Sequence, residues 1–274
     1  MKAQPFRMNS CPFMLKPFCL ALIALLALAG CARRASNESG VGQSEITVAA
    51  AANLSDAFVE LGQEFTRRSG VRVVYSFGAT ADLAKQIENG APFDLFAAAD
   101  VEHLDALARA GLLAEGTQTL YARGRLVLWI PPGSRLNLAR LEDLSGASVE
   151  RVAIAKPDVA PYGRAATEAL RALDIWSSIE PKVIYSQNVS QARQYAATGN
   201  ADAAFIPRSL VRAGDGRTID VPATLHQPIN QSVAVIKASQ KQQAAHQFID
   251  FLLSPEGQSL LERYGYEKTV TSEK

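Results

Sequence analysis

The amino-acid sequence predicts an α/β fold of two lobes, each a mainly parallel sheet flanked by helices, with a ligand cleft between them. Three observations carry this. Short apolar runs rich in β-branched residues are continuous rather than alternating, as in strands buried on both faces. Between them lie stretches with helical spacing of apolar residues, the alternation of a parallel sheet with crossover helices. One strand-like run then ends in Pro131-Pro132-Gly133, as if the chain passes from one lobe into another. About 230 residues suit either one large sheet or two smaller ones, and this break favours two.

Taken in order, Ile46–Ala51, Val71–Phe77, Phe93–Ala98, Arg125–Ile130, Val152–Ala155, Lys182–Tyr185, Ala203–Ile206 and Ser232–Ile236 read as strands. Between the first two, Leu54, Ala57, Phe58, Leu61 and Phe65 recur along one helical face. Helical period continues through Asp82–Glu88, Val101–Ala110, Arg164–Ala172 and Ser190–Ala197, and the chain closes with Gln243–Leu253 and Pro255–Tyr264. These elements give lobe I as 45–124 and 236–274, and lobe II as 125–235. Trp129, after Val127 and Leu128, and Trp176, after a helix, are read as core packing.

Ahead of this body, Lys2, Arg7 and Lys16 precede an apolar run from Phe18 to Ala29 with no acidic residue before it. This is the layout of a signal peptide, and the run falls short of the roughly 20 apolar residues that span a bilayer. Leu28-Ala29-Gly30-Cys31 resembles a bacterial lipobox, so residues 1–30 are read as a leader and Cys31 as the lipidated first residue of the mature chain. Residues 31–44, rich in Arg, Ser, Asn, Glu and Gly, read as a flexible tether. Cys11 and Cys19 fall inside the leader, so the mature chain keeps one cysteine and makes no internal disulfide. Export to the periplasmic face of a membrane, with a body large enough to stand on its core alone, is consistent with this.

Composition narrows the function. The formal net charge is +1, and −2 without the three leader cations, so no basic field exists to hold nucleic acid. No Gly-x-Ser-x-Gly elbow is present, and His103, His226 and His246 stand in unrelated contexts, which argues against a hydrolase and leaves no catalytic residue to name. No Cys or His cluster has metal-ligand spacing, and no Gly-x-x-x-x-Gly-Lys loop cradles a nucleotide. The reading is a binding protein, not an enzyme, without a cofactor.

Four strand-to-helix junctions carry the remaining signal, because open α/β sheets bind ligands beyond the carboxyl ends of their strands. In Ala49-Ala50-Ala51-Ala52-Asn53-Leu54 small residues admit close backbone approach, and Asn53 is suited to cap the next helix, with Asp56 three places on. In Ser76-Phe77-Gly78-Ala79-Thr80-Ala81, Thr80 is the expected cap and Gly78 is free to take positive φ. Proline and glycine shape Ala160-Pro161-Tyr162-Gly163, and Asn188-Val189-Ser190 opens a helix ending near Gly199. Arg164 and Arg193 follow two of these turns and are read as solvated helix faces, with anion steering as the alternative.

Together with Gly90-Ala91-Pro92-Phe93-Asp94-Leu95-Phe96, these segments resemble the signature stretches of periplasmic molybdate-binding proteins, from about Ile46 to Tyr266. The resemblance implies a type II periplasmic-binding fold whose lobes close over a tetrahedral dianion, molybdate or tungstate, for delivery to the permease of an ABC importer by a monomeric protein. Carried over by position, the ligating sites are Asn53 and Thr80 in one lobe and Tyr162 and Val189 in the other, with backbone contacts from Ala52 and Ala79. Some members of the family place a tyrosine where this chain has Ile206, just before Pro207; neither residue has a hydroxyl, and Tyr162 is the candidate to compensate.

The residue types suit such a ligand. A helix N-terminus offers unsatisfied N–H groups and about half a positive charge, so several converging turns hold a dianion without a cation. Each charged hydrogen bond contributes about 1.5–3 kcal/mol, and a ring made mostly of donors rejects protonated anions. Sulfate or phosphate is the alternative ligand. An effector-sensing regulator domain or a surface adhesin is the alternative class.

Overall fold

The computed structural model describes Ser44–Thr269; the leader, the lipidation site at Cys31 and all but the last residue of the tether lie outside the described residues. In chain order the elements are β1 (Glu45–Ala51), α1 (Ser55–Ser69), β2 (Arg72–Gly78), α2 (Thr80–Glu88), β3 (Leu95–Ala98), α3 (Glu102–Arg109), β4 (Thr119–Gly124), β5 (Leu126–Ile130), β6 (Val152–Ala155), α4 (Pro161–Ala172), α5 (Trp176–Ile179), β7 (Val183–Ser186), α6 (Val189–Ala197), β8 (Ala203–Pro207), β9 (Arg217–Asp220), β10 (Ile229–Val235), α7 (Gln242–Leu253) and α8 (Pro255–Arg263). Short 3₁₀ turns interrupt the connections.

They form two five-stranded sheets, ordered β2-β1-β3-β10-β4 and β7-β6-β8-β5-β9. Each sheet is mixed rather than mainly parallel. β1 pairs parallel with β2 and β3, but β10 runs antiparallel to both β3 and β4. In the second sheet β6 pairs parallel with β7 and β8, while β5 is antiparallel to β8 and β9. Continuous apolar runs mark burial on both faces, which a central antiparallel strand shares with parallel neighbours; β5 and β10 are almost wholly buried.

Two strands escape the sequence reading. β4 and β9 are edge strands with charged residues and no unbroken apolar run. The lobe boundary also moves: β10 starts at Ile229 and lies between β3 and β4, so the chain returns to lobe I before residue 229, not at 236. A strand buried on both faces reads alike in either sheet, so pattern alone does not assign it. The forward crossing falls at Gly124 and Arg125, between β4 and β5; Pro131-Pro132-Gly133, expected to mark it, instead follows β5 and precedes β6 of the same sheet, so that break is a turn inside lobe II.

In lobe I, Phe58 meets Tyr75, Tyr121 and Phe248 with ring centroids 6.0 Å apart, pinning α1 and α7 to the sheet. In lobe II, Trp129 is fully buried in β5, its indole N–H donating to the Asp215 carbonyl. Trp176 is half-buried beneath the Arg171 guanidinium, 5.5 Å from the ring centre.

Candidate functional site

The two sheets repeat one arrangement. β1 lies between β2 and β3, and β6 between β7 and β8. At such a switch point the connections leave a strand to opposite sides and open a crevice at its carboxyl end. Asn53 follows β1 and Tyr162 follows β6; Thr80 follows β2 and Val189 follows β7. All four predicted residues therefore occupy matched positions in the two lobes.

The structure brings them together. Ala52, Asn53, Ala79, Thr80, Tyr162 and Val189 all line one cavity of about 10 Å³, completed by Ala51, Gly78, Ala99, Ala160, Pro161 and Asn188. Asn53, Thr80, Tyr162 and Val189 are all at most 4% exposed. Pockets for drug-sized organic ligands run to about 300–1,000 Å³, whereas this space is about that of a single water. Larger hollows exist on the surface, including one of about 850 Å³ between Asp56, Arg212 and Arg263, but none of the four residues lines it.

The lobes meet around the cavity. Ser209 Oγ donates to the Asn53 carbonyl at 2.8 Å, Ser190 Oγ to the Ala52 carbonyl at 3.2 Å, and the Ala81 N–H to the Val159 carbonyl at 3.2 Å. Arg164 of lobe II pairs with Glu102 at 2.9 Å and Asp100 at 3.5 Å in lobe I. Arg164 thus crosses between the lobes instead of facing water alone. Arg193 is not a solvated face either: it pairs with Asp215 and lies 5.1 Å over the Trp129 ring.

Two caps differ from expectation. Asn53 sits inside a 3₁₀ turn, Ala52–Leu54, and caps nothing. Its amide donates to Gln231 Oε1 at 2.7 Å and to the Tyr266 hydroxyl at 2.9 Å. Tyr266 in turn donates to the Asn53 carbonyl at 2.8 Å. Thr80 is the first residue of α2 rather than its cap, and its Oγ1 accepts the Ala99 N–H at 3.2 Å. Buried partners claimed both side chains, acceptors in the case of the Asn53 amide and a backbone donor in the case of the Thr80 hydroxyl. Gly78 ends β2 without a positive φ, packed against Leu83. Asn188 does cap α6, its Oδ1 accepting the Gln191 N–H at 3.0 Å, and Pro161 opens α4.

The peptide N–H groups of Thr80, Tyr162 and Val189 belong to first helical turns, where the helix itself supplies no acceptor. α2, α4 and α6 thus direct three helix N-termini at one cavity, each adding positive potential. The Tyr162 hydroxyl is fully buried and has no hydrogen-bond partner among the described residues. It lies against Gly124 of lobe I, where an added Cβ would sit 1.9 Å from its oxygen. Burial pushes its ionisation well above the ordinary tyrosine value, so it is a neutral donor. Tyr75 and Tyr121 also carry unpartnered hydroxyls, but neither lines this cavity. Ile206 is buried in β8 and takes no part.

Gln231, Tyr266, Ser209 and Ala99 escape the sequence reading. Gln231 stands between Asn230 and Ser232 and Ser209 follows Arg208, so nothing local marks either of them, nor Ala99 or Tyr266. Asp94, in one of the signature segments, lies away from the cavity. It accepts from the Thr47 N–H and Ser239 Oγ, both at 2.7 Å, and so braces β1 and the chain after β10. Among the described residues no group of three His, Cys, Asp or Glu could hold a metal ion, and no helix is long and apolar enough to cross a membrane.

Comparison with known proteins agrees with this architecture. The molybdate-binding protein of Rhodobacter capsulatus is 36% identical over 226 residues, 81% of this chain and 88% of the relative. That of Azotobacter vinelandii is 33% identical over 228 residues, 81% and 90% of the two chains. The solved periplasmic molybdate-binding protein of Azotobacter vinelandii superposes with a TM-score of 0.77 at 29% identity, covering 82% of this chain and 99% of that one. A sulfate-binding protein from Mycobacterium tuberculosis, at 18% identity and a TM-score of 0.71 over 84% of this chain and 88% of its own, shares the fold alone. A model of the bacterial extracellular solute-binding protein family matches residues 46–267, and the chain belongs to that family.

Proposed function

We propose that the cavity binds molybdate, and tungstate of the same shape and charge, and that the closed protein, a monomer held at the periplasmic face of a membrane by lipid on Cys31, delivers the anion to the permease of an ABC importer. The leader would be residues 1–30 and the tether 31–44. One observation carries the reading: matched turns from both lobes enclose a small cavity around helix N-termini and the unpartnered, buried Tyr162 hydroxyl. Donors without a cation suit a dianion of fixed radius. The ligands are the N–H groups of Asn53, Thr80, Tyr162 and Val189 with the Thr80 and Tyr162 hydroxyls, and Ala52 and Ala79 stand beside them. Closure follows because one ligand bridges both lobes and so favours the state in which they meet.

Isothermal titration with molybdate, tungstate, sulfate and phosphate tests this. Tight binding of the first two alone is the expected result, and preference for sulfate or phosphate would overturn the ligand assignment. Tyr162→Phe is expected to weaken molybdate binding about tenfold, the loss of one charged hydrogen bond. Unchanged affinity would reduce Tyr162 to its peptide N–H.

A further inference from the structure

Gln231 is fully buried in β10 at the point where the ladder to β4 shifts register, between Gln231 and Ser232. Such a bulge re-aims a side chain. The amide bonds in both directions. Its Oε1 accepts from Asn53 Nδ2 at 2.7 Å, and its Nε2 donates to the carbonyls of Ile229 at 3.1 Å and Ala99 at 3.3 Å. The Ala99 N–H donates to Thr80 Oγ1 at 3.2 Å. A path of hydrogen bonds, running through the Gln231 side-chain amide and the backbone of Ala99, therefore joins the two lobe I turns of the cavity, Asn53 and Thr80.

The geometry points to Gln231 as a positioning residue that sets the spacing and donor direction of these turns and thereby the discrimination among oxyanions. This rests on the proposed reading of the cavity. Two consequences follow from the partners. Both Nδ2 hydrogens of Asn53 are engaged, by Gln231 and Tyr266, so Asn53 offers an anion its peptide N–H, not its amide. Because Thr80 Oγ1 already accepts from Ala99, the hydroxyl hydrogen is free to point elsewhere and serves as a donor. Fixed spacing matters most for selectivity, since oxyanions of one charge differ in radius and a loosened ring adjusts to the wrong one.

The test is Gln231→Met, which keeps the length of the side chain and removes both ends of the link. Titration of wild type and variant with molybdate and with sulfate reads affinity and preference separately, and thermal melting without ligand reports folding. Molybdate affinity is expected to fall about tenfold with a smaller change for sulfate, so the preference narrows. Equal losses for both anions, or no loss, would overturn the positioning role. If wild type itself prefers sulfate, the ligand assignment fails, and Gln231 is still judged by whether that preference narrows. Should the variant not fold, the side-chain amide protons of Asn53 and Gln231 in the wild-type protein decide. Slow exchange with solvent and a shift on titration with molybdate are expected, and fast exchange or no shift would sink the idea.

Discussion

The two halves of the cavity are built from matched positions by different means. In lobe I, Asn53 and Thr80 are polar, and their side chains bond to the protein through Gln231, Tyr266 and Ala99. In lobe II the corresponding places hold Tyr162, whose hydroxyl has no partner, and Val189, which has no polar side chain to offer. Lobe I is therefore a fixed half whose geometry is set by side chains. Lobe II is set by its backbone, through a proline at N1 of α4, the Asn188 cap on α6 and close approach of turn to strand. The lesson is that equivalent strand ends can present the same peptide donors while relying on opposite supports, so each half should fail in its own way.

The largest expected effect is in lobe II. A Cβ on Gly163 would lie 1.9 Å from the Ala155 carbonyl oxygen and 2.7 Å from its carbon, both backbone atoms that cannot swing aside. Gly163→Ala should destabilise the fold by about 1–3 kcal/mol, lower the melting temperature by several degrees and weaken anion binding with it. A variant that melts like wild type would show that the α4 turn has slack, and the contrast between the halves would lose its basis.

Next comes the surface where the halves touch. Gly124→Ala would set a Cβ 1.9 Å from the Tyr162 oxygen and 2.7 Å from Cζ. Here the obstructed atoms end a side chain of the opposite lobe, so opening the cleft relieves the clash. Affinity should fall roughly 10- to 100-fold while the ligand-free melting temperature moves little. Comparable damage to both would mean that Tyr162 is core to the fold instead of a cleft residue.

These contrasts also mark what the sequence could reveal. Strand-to-helix junctions were legible because small residues and helix openers are local signals, and Asn53, Thr80, Tyr162 and Val189 line one cavity. The supports were not. Gln231 lies 178 positions from Asn53 and Tyr266 lies 213, and hydrogen bonds over such separations leave no period or spacing to read. The same physics misled the caps: Asn53 and Thr80 are good N-cap types, yet distant partners claimed their side chains. β4 and β9 were hidden by their edge positions; β10 was legible as a strand from Ser232 on, but not its place between β3 and β4.

A smaller effect is expected from Arg164→Gln. The pair with Glu102 crosses between the lobes, but Arg164 is 43% exposed and Glu102 69%, and exposed pairs contribute about 0.2–1 kcal/mol. Molybdate affinity should fall about fivefold at most, and by less in high salt. A loss independent of salt would instead point to direct contact with the anion.

The smallest change concerns pH. His103 Nδ1 lies 2.8 Å from Asp100 Oδ2, and this hydrogen bond raises its ionisation above the ordinary 6.5 despite partial burial and the opposing charge of Arg164; Glu102 assists. A group whose folded value is raised contributes its stabilisation in full below the unfolded value and loses it as pH rises through the folded one. The melting temperature should therefore fall as pH climbs upward from about 6.5, and His103→Gln should flatten that slope. Asp100 also faces Arg164 across the cleft at 3.5 Å. Loss of the imidazolium charge leaves Asp100 more strongly paired with Arg164, so the interlobe contact strengthens over the same window in which the fold weakens. Measuring melting and affinity together across this range separates the two: opposite slopes place His103 at the seam between the halves, whereas parallel slopes confine it to the stability of lobe I.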